Sequence, residues 1–149
     1  MKQTALALSL SQRTVLVTME TVRAALGLDA ETITQRVDSG ELRWVFDVSA
    51  VTAACAERNG RRELRFWSKE IVAPEFCRGV TPDQAADQIV GVATREWLRS
   101  GEVAHLLLVS DPHVGRLWQR GFLSGEITGR SLKLRRASLI TWLQSRLIA

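Results

Sequence analysis

The chain has 149 residues, 46% of them hydrophobic and 24% charged, a composition that is typical of a folded protein and argues against intrinsic disorder. The length allows a sizeable core without disulfides, and Cys55 and Cys77 are isolated, which excludes a disulfide framework or a C-x-x-C zinc site and predicts two small buried residues. The net charge of +4, from 20 basic and 16 acidic residues, favours a nucleic-acid partner only weakly.

Hydropathy predicts no membrane-spanning helix. No apolar run approaches the roughly 18 residues that a span needs, and the run at residues 106–109 is only a short piece of core. Residues 1–10 lack the full hydrophobic region and the cleavage site of a signal peptide, so we predict a helical or frayed N-terminal arm. Together with reduced thiols, these features favour a cytoplasmic protein.

In the first half of the chain, residues 20–27 and 29–39 have the pattern of two short helices. Asp29 is predicted to cap the second helix, because its side chain can accept hydrogen bonds from N–H groups of the first turn, and Gly40 would end it. Residues 42–48 and 63–67 are predicted as two strands of a long wing. The insertion between them, residues 49–62, ends in arginines and contains the turn signal Asn59-Gly60.

A capped helix over residues 80–90 is predicted to connect the halves, with Thr81 as N-cap and Pro82 at the first helical position. Residues 92–99 are predicted to extend helical structure into the second half. No Gly/Ser-rich or Pro-rich linker separates the halves. We therefore expect them to pack against each other in a fixed orientation.

The second half predicts a helix over residues 102–108 and another that begins after the N-cap Ser110 and is closed by Gly121. Pro112 lies where its missing N–H does no harm. One face of the second helix, predicted to pack, carries Val114, Leu117 and Trp118. Another face, predicted to be free, carries His113, Arg116 and Arg120.

Residues 126–135 alternate around a glycine-containing turn, which predicts a two-stranded hairpin. Leu132 and Leu134 would point inward, and Lys133 and Arg135 outward. A final helix over residues 136–147 has apolar residues at helical spacing and would cover the hairpin and the helix pair. Helix, turn, helix, hairpin and helix is the order of a winged helix-turn-helix.

The two halves match at a spacing of 81 residues, and their apolar positions agree better than their polar ones. The matched pairs are Val22 and Val103, Leu26 and Leu107, Leu28 and Val109, Ile33 and Val114, and Leu42 and Leu123. The predicted fold class is mainly α with small β-hairpin wings (α+β), in tandem winged helix-turn-helix units. Residues 1–75 form the N-terminal unit, and residues 76–149 form the C-terminal unit with its leading connector helix.

Charge distinguishes the two units. Residues 1–75 hold 10 basic and 10 acidic groups, whereas residues 112–149 hold 7 basic groups and the single acid Glu126. Such a cationic cluster attracts phosphate, although a solvated basic face has the same composition. The second helix of the first copy carries Asp29, Glu31 and Asp38 against Arg36. The first copy either docks on DNA chiefly through its basic insertion or has become a protein-binding module.

Short motifs in residues 103–147 carry a family resemblance: VSDPHV at 109–114, RG at 120–121, ITGR at 127–130, LKLRRASL at 132–139 and WL at 142–143. With them the segment resembles the excisionase-like branch of the MerR superfamily. The resemblance implies a second helix in the major groove and a basic wing that touches the DNA backbone or the adjacent minor groove. It also implies a bacterial or phage protein of the nucleoid and a mobile-element context, with a recombinase or a transcription protein as partner.

Candidate DNA-binding residues follow from the free faces and the basic segments. In the C-terminal unit they are His113, Arg116, Gln119, Arg120, Arg130, Lys133, Arg135 and Arg136. In the N-terminal unit they are Thr32, Gln35, Arg36, Arg58, Arg61 and Arg62. An arginine fork can bind guanine O6 and N7 or clamp a phosphate. The alternatives are an ordinary exposed histidine at position 113 and a solvated sheet edge at positions 133–136.

Aromatic residues offer a second possibility, because Trp44, Phe46, Phe66 and Trp67 lie near arginines and could stack on single-stranded bases. Their strand and helix patterns favour burial in the core instead. The chain lacks a Gly-rich phosphate loop, H-E-x-x-H and G-x-S-x-G. We predict no catalytic residue, no metal and no cofactor, and we do not expect an enzyme.

The sequence thus leads to the hypothesis of a sequence-specific double-stranded DNA-binding protein, regulatory or architectural. Its role would be recombination directionality or transcriptional control, as a monomer with an internal pseudo-dimer or as a cooperative oligomer on DNA. Two alternatives stay open. One is a protein–protein interaction module built on degenerate winged-helix units, and the other is an accessory protein that binds single-stranded nucleic acid.

Overall fold

The computed structural model describes residues 15–60, 62–91 and 95–148, and the fold of these residues is α+β. The described helices are α1 (Met19–Leu26), α2 (Ala30–Asp38), α3 (Ala53–Asn59), α4 (Ser68–Val72), α5 (Pro74–Cys77), α6 (Pro82–Val90), α7 (Ser100–Leu107), α8 (Asp111–Gln119) and α9 (Arg136–Ser145). The described strands are β1 (Leu16–Thr18), β2 (Val45–Asp47), β3 (Leu64–Trp67), β4 (Trp97–Arg99), β5 (Gly125–Thr128) and β6 (Ser131–Arg135). The predicted arm at residues 1–10 lies outside the described residues. None of the helices described combines the length and the apolar character that crossing a bilayer requires.

The repeat of the sequence reappears in the bounds of the elements. β1 begins at Leu16 and β4 begins at Trp97, 81 positions later, and the same spacing relates α1 to α7 and α2 to α8. Each of these elements has the same length as its counterpart. We call residues 15–72 the first unit and residues 97–148 the second unit. In both, a strand and two helices are followed by two strands and a helix, and in the first unit the additional helix α3 lies between those two strands.

Side chains cap three helices where the sequence predicts it. Asp29 Oδ1 accepts a hydrogen bond from Thr32 N at 2.8 Å, and Ser110 Oγ accepts one from His113 N at 3.2 Å. Thr81 forms a reciprocal capping box with Gln84 at the start of α6. These bonds satisfy N–H groups that the first turn of a helix leaves free. The predicted starts of α2, α6 and α8 are confirmed.

Each unit has a three-stranded antiparallel sheet in which the strand before the helix pair joins the hairpin that follows it. The strand orders are β1-β3-β2 and β4-β6-β5. The hairpin predicted over residues 126–135 is present as β5 and β6. Residues 97–99, which were predicted as helical, form β4 instead. Leu98 pairs with Leu134 and both are buried, so this strand completes the sheet and covers a β6 edge that would otherwise be free.

The long wing of the first unit also differs from the prediction, because its insertion contains α3. Thr52 Oγ1 accepts a hydrogen bond from Cys55 N, and the alanine-rich sequence after it favours a helix. Gly60 ends that helix, in agreement with the predicted turn signal. Cys55 is only half-buried, contrary to the prediction, whereas Cys77 is buried as predicted.

One apolar cluster is formed by the first unit, with Ile148 of the second unit packed against it, and a second cluster joins both units. In β1 and β3, successive side chains point to opposite faces of the sheet. Val17 and Phe66 therefore cover α1 and α2 of their own unit. Leu16, Phe46 and Trp67 face the other way and share a cluster with Leu107 and Leu117 of the second unit and with Ile89 of α6. This shared core agrees with the expected fixed orientation of the halves.

Candidate nucleic-acid interface

The side chains of α8 point in three directions. Val114 and Leu117 are fully buried, and Trp118 packs against the same core, as predicted. The opposite face is exposed and carries Pro112, Arg116 and Gln119. Their spacing of four and three residues places them on one stripe of the helix. In the described part of the chain, Arg116 enters none of the ion pairs, so its guanidinium is available to a ligand.

His113 does not lie on that free face, and its predicted exposed position is wrong. The side chain is 6% exposed, and its Nε2 lies 2.7 Å from the carbonyl oxygen of Val48 in the first unit. A carbonyl oxygen only accepts hydrogen bonds, so Nε2 is the donor in this contact. The first unit covers this flank of α8, which the helical period of α8 alone cannot reveal.

Arg120 lies on the same flank of α8 as His113. Its guanidinium donates a hydrogen bond to the carbonyl oxygen of Ala50, in the segment that leads into α3. The residue as a whole is exposed, and a guanidinium has five N–H donors, so other donors stay accessible. The prediction of a free arginine is therefore wrong in part, because Arg120 also ties the two units together.

A second tie between the units comes from Arg65 of β3, which the sequence analysis did not single out. Its Nε donates to the carbonyl oxygen of Leu107 at 2.9 Å, and its Nη2 donates to that of Leu108 at 2.8 Å. These carbonyls end α7, where a helix presents partial negative charge. Burial lowers the pKa of Arg65, but a guanidinium remains protonated at neutral pH. These two bonds fix the central strand of the first sheet to the end of α7 in the second unit.

The corresponding free face of α2 has a different charge. Glu31, Gln35 and Asp38 precede Pro112, Arg116 and Gln119 by 81 positions, and all three are exposed. Two carboxylates thus occupy the stripe on which α8 carries an arginine and an amide. Phosphate would be repelled from this face of α2.

The other candidates on α2 are partly engaged. Hydrogen bonds from Thr32 lower the pKa of the exposed Asp29 carboxyl, so this N-cap is negatively charged at neutral pH. Thr32 itself is half-buried. Arg36 Nε lies 3.9 Å from a carboxylate oxygen of Glu41. Gln35 is the one candidate of α2 that is fully exposed.

The β5–β6 hairpin is held beside α8 at its base. Trp118 Nε1 donates to the carbonyl oxygen of Gly125 at 3.1 Å. Residues 126–131 at the tip are all exposed. The turn consists of Gly129, with a φ of 64°, and Arg130, which matches the place of glycine in type II′ turns. The guanidinium of Arg130 is therefore presented at the end of a hairpin whose position relative to α8 is fixed.

Lys133 lies on the outer face of the same hairpin. It is half-buried, and its cross-strand neighbours are Glu126 and Arg99. Residues directly opposite each other in an antiparallel pair share one face of the sheet. This agrees with the prediction that Lys133 points away from the core, whereas Leu134 on the inner face is fully buried.

Replacement of Gly125 by alanine is expected to disrupt the base of the hairpin. A Cβ atom at this position would lie 2.4 Å from the carbonyl oxygen of Lys133 and 2.8 Å from Leu134 Cδ2. We expect a loss of about 1–3 kcal/mol in the free energy of unfolding, the usual cost of overpacking. Urea unfolding monitored by tryptophan fluorescence measures it. Gly115→Ala in α8 is the control, because a Cβ there meets nothing within 4 Å and alanine favours the helix. Equal stability of the two variants would contradict the packing.

Arg135 and Arg136 make intramolecular contacts rather than presenting free guanidinium groups. Arg135 Nη1 lies 2.9 Å from Glu96 Oε1, and its guanidinium carbon lies 4.3 Å from the centre of the Trp97 ring. Arg136 donates to the carbonyl oxygen of Gly91 at 2.8 Å and pairs with the Asp87 carboxylate at 2.6 Å. Only 14% of the Arg136 side chain is exposed. Arg136 joins α9 to α6, so its guanidinium is not free as predicted, and its role as a DNA ligand stays a prediction.

The basic insertion of the first unit begins beside α8. Its carbonyl oxygens at Val48 and Ala50 accept the hydrogen bonds from His113 and Arg120, and α3 starts three residues after Ala50. Arg58, in the last turn of α3, is exposed. Arg62 is also exposed, but its Nη2 lies 3.6 Å from a carboxylate oxygen of Glu57. Arg61 lies outside the described residues.

The aromatic residues that could stack on single-stranded bases are buried. Phe66 is fully buried, and Trp44, Phe46 and Trp67 are each at most 2% exposed. Trp44 and Trp67 pack edge to face, with ring centroids 6.0 Å apart. Burial in the core is confirmed for all four residues, so none of these rings offers a face to a base.

The outer faces of the two sheets differ in a way that the sequence analysis missed. In the first sheet this face holds Leu16, Phe46 and Trp67, which the second unit covers. The same register positions in the second sheet are Trp97, Glu126 and Arg135, which are half-buried or exposed. Burying charged side chains against another unit is costly, which agrees with the exposure of Glu126 and Arg135 on this face.

Among the residues with described positions, no three His, Cys, Asp or Glu side chains gather as a metal site would require. No family model, no curated protein and no solved structure matches the chain. The exposed stripe of α8 and the hairpin beside it are therefore interpreted from their own geometry and charge.

Proposed function

We propose that each unit is a winged helix-turn-helix and that the chain binds double-stranded DNA through the second one. In this proposal α8 is the recognition helix and the β5–β6 hairpin is the wing. The observation that carries it is the exposed stripe of α8, where Arg116 and Gln119 lie beside a fixed wing with Arg130 at its tip. Arginine and glutamine are side chains that read guanine and adenine in the major groove.

The first unit supports the reading helix in this proposal and does not read DNA with α2. Glu31 and Asp38 make α2 unfavourable for phosphate. The contacts of Val48 and Ala50 with α8 instead place the start of α3 beside the recognition helix. Arg58 is on α3, so in this proposal the insertion adds a phosphate contact to the α8 site. The acidic stripe of α2 is left for a basic protein partner, such as the recombinase or transcription protein that the family resemblance implies.

The biological role that fits this arrangement is regulation or architecture at a DNA site. Two units with a shared core have a fixed spacing, so the chain has the geometry of a pseudo-dimer. The resemblance to excisionase-like proteins adds recombination directionality or transcriptional control of a mobile element as the context, in the cytoplasm of a bacterium.

Salt dependence of binding tests the proposal. Selection from genomic fragments identifies a preferred duplex, and fluorescence anisotropy then measures its dissociation constant at several salt concentrations. Arg120, Arg130, Lys133 and Arg58 could each contact one phosphate. We therefore expect a log–log slope of several units, because each neutralised phosphate contributes roughly 0.9. A slope near zero, or no binding at low salt, would instead favour a protein partner.

Single substitutions separate reading from anchoring. We expect Arg116→Ala to lose more affinity for the selected duplex than for random duplex, by about 1–3 kcal/mol of discrimination. Arg130→Ala and Lys133→Ala should weaken both duplexes about equally and reduce the salt slope by roughly 1 each. Competition anisotropy with both duplexes measures these effects. If all three variants bind as the unchanged protein does, the second unit is not the DNA-binding part.

A further inference from the structure

Ile127 is an unusual residue for the tip of a wing. In the described part of the chain, only it and Phe76 are exposed large hydrophobic residues, and Ile127 is 57% exposed. It pairs with Leu132 across the hairpin, and Gly125 pairs with the buried Leu134 two residues along. Ile127 therefore lies on the core side of the hairpin beside Leu132, which is half-buried and packs against the core, yet Ile127 itself is exposed.

Ile127 lies near the outer end of the hairpin. The ladder ends at Thr128 and Ser131, three residues beyond the Leu134 pair, and Ile127 lies two residues beyond that pair. At a rise of about 3.3 Å per residue, the tip extends roughly 10 Å past the buried residue. The minor groove of DNA is about 7.5 Å deep, and Ile127 lies roughly 7 Å past Leu134, so the outer part of the hairpin can enter the groove together with Ile127.

The charges near Ile127 indicate what kind of surface it meets. Arg130 is exposed in the adjacent turn, three residues away. The nearest acid, Glu126, pairs with Lys133 and lies on the opposite face of the hairpin. An apolar side chain beside a free cation fits a partner that is anionic outside and apolar inside. A base step between two phosphate backbones has that chemistry, and a single isoleucine is too small an apolar area to hold a lipid surface.

We propose that Ile127 is an apolar wedge that enters a base step of the minor groove and bends the duplex. This inference rests on the proposed function, with Arg130 holding the phosphate backbone beside the step. A two-stranded hairpin is too wide for a minor groove of about 6 Å, so entry requires the groove to open. Apolar wedges of this kind open the groove by partly unstacking a step and kink the duplex by roughly 20–90°.

Bending is measured as energy transfer between dyes at the two ends of the selected duplex, of about 25 base pairs. The unchanged protein should increase the transfer. Ile127→Thr keeps a β-branched residue that suits a strand but replaces the apolar tip with a hydroxyl. We expect this variant to bind the duplex within about tenfold of the unchanged protein and to lose most of the transfer. A 2-aminopurine placed in the contacted step should lose its fluorescence increase as well.

The variants distinguish failure of the wedge from failure of DNA binding. Arg116→Ala, on α8, should weaken binding but leave the transfer of the saturated complex unchanged. The wedge is overturned if the duplex binds without bending, or if Ile127→Thr bends it as fully as before, and DNA binding then still stands. If Ile127→Thr changes only the association of the chain with itself in light scattering, the side chain is a contact between copies and the wedge is also overturned. No binding by the unchanged protein refutes the proposed function itself.

Discussion

Replacement of Arg146 by methionine should destabilise both units together, with a loss of about 3–5 kcal/mol in the free energy of unfolding. Arg146 and Asp47 form an ion pair between the units, with Nη1 and Oδ2 3.3 Å apart and each side chain only 3% exposed. The guanidinium also donates to the carbonyl oxygen of Val51 and lies over the rings of Phe122 and Trp142. Methionine would fill much of the space but would leave the Asp47 carboxylate buried without a counter-charge.

A second variant tests whether the unpaired charge is the cause. Asp47 Oδ1 accepts hydrogen bonds from Ser49 N at 3.0 Å and Glu63 N at 3.1 Å, which an asparagine oxygen can also accept. Asp47→Asn combined with Arg146→Met should therefore recover a large part of the lost stability, because a neutral pair carries no such penalty. Urea unfolding of the three proteins gives the comparison.

Arg95→Met provides the matched control for an arginine lost from an exposed pair. Arg95 pairs with Glu102 on the surface, where both side chains are more than a third exposed. Exposed pairs contribute little to stability, so this variant should unfold almost as the unchanged protein does. If Arg146→Met behaves like Arg95→Met, or if it unfolds in two separate transitions, Asp47 and Arg146 do not join the units as the structure indicates.

The sequence predicted those parts of the fold that depend on neighbours along the chain. N-caps at Asp29, Thr81 and Ser110 bond to N–H groups three residues away, so the residue types alone indicate them. The spacing of 81 residues was visible because matched positions such as Val22 and Val103 are both fully buried. Local chemistry and burial leave a periodic signal, which is why these features could be found.

Features that depend on distant partners could not be predicted in this way. His113 was predicted to be free because the spacing of apolar residues along α8 indicates only which face packs within its own unit. Its actual partner is the carbonyl oxygen of Val48, 65 positions earlier in the chain. Arg136 was predicted to be a solvent-exposed basic residue, but its partners are Asp87 in α6 and Gly91 at the end of that helix. Residues 97–99 are too few to show a period of two, and their pairing with β6 is what makes them a strand.

The candidate site is smaller after these long-range contacts are known, and its composition is clearer. Arg116, Gln119 and Arg130 keep exposed positions, whereas His113 and Arg136 are used to join elements. The spacing of 81 residues already makes Gln35 and Asp38 the counterparts of Arg116 and Gln119, and the equal bounds of α2 and α8 confirm this register.

Giving α8 the side chains of these counterparts should weaken DNA binding. Arg116→Gln with Gln119→Asp replaces the arginine and the glutamine that contact bases in our proposal and adds a carboxylate opposite phosphate. At about 1–3 kcal/mol for each lost contact, we expect affinity for the selected duplex to fall at least roughly 30-fold. Because both positions are exposed, the fold should be retained. Anisotropy titration measures the affinity, and urea unfolding checks the fold.

The reciprocal exchange, Gln35→Arg with Asp38→Gln in α2, is the control of equal size. It makes α2 as basic as α8, yet in our proposal α2 does not face the duplex because the first unit contributes through its insertion near α8. We expect affinity and salt slope close to those of the unchanged protein. A salt slope steeper by one to two units would show instead that α2 lies along the same DNA. In that case both units bind DNA, in adjacent grooves. They would then differ in how tightly they bind DNA and not in whether they bind it.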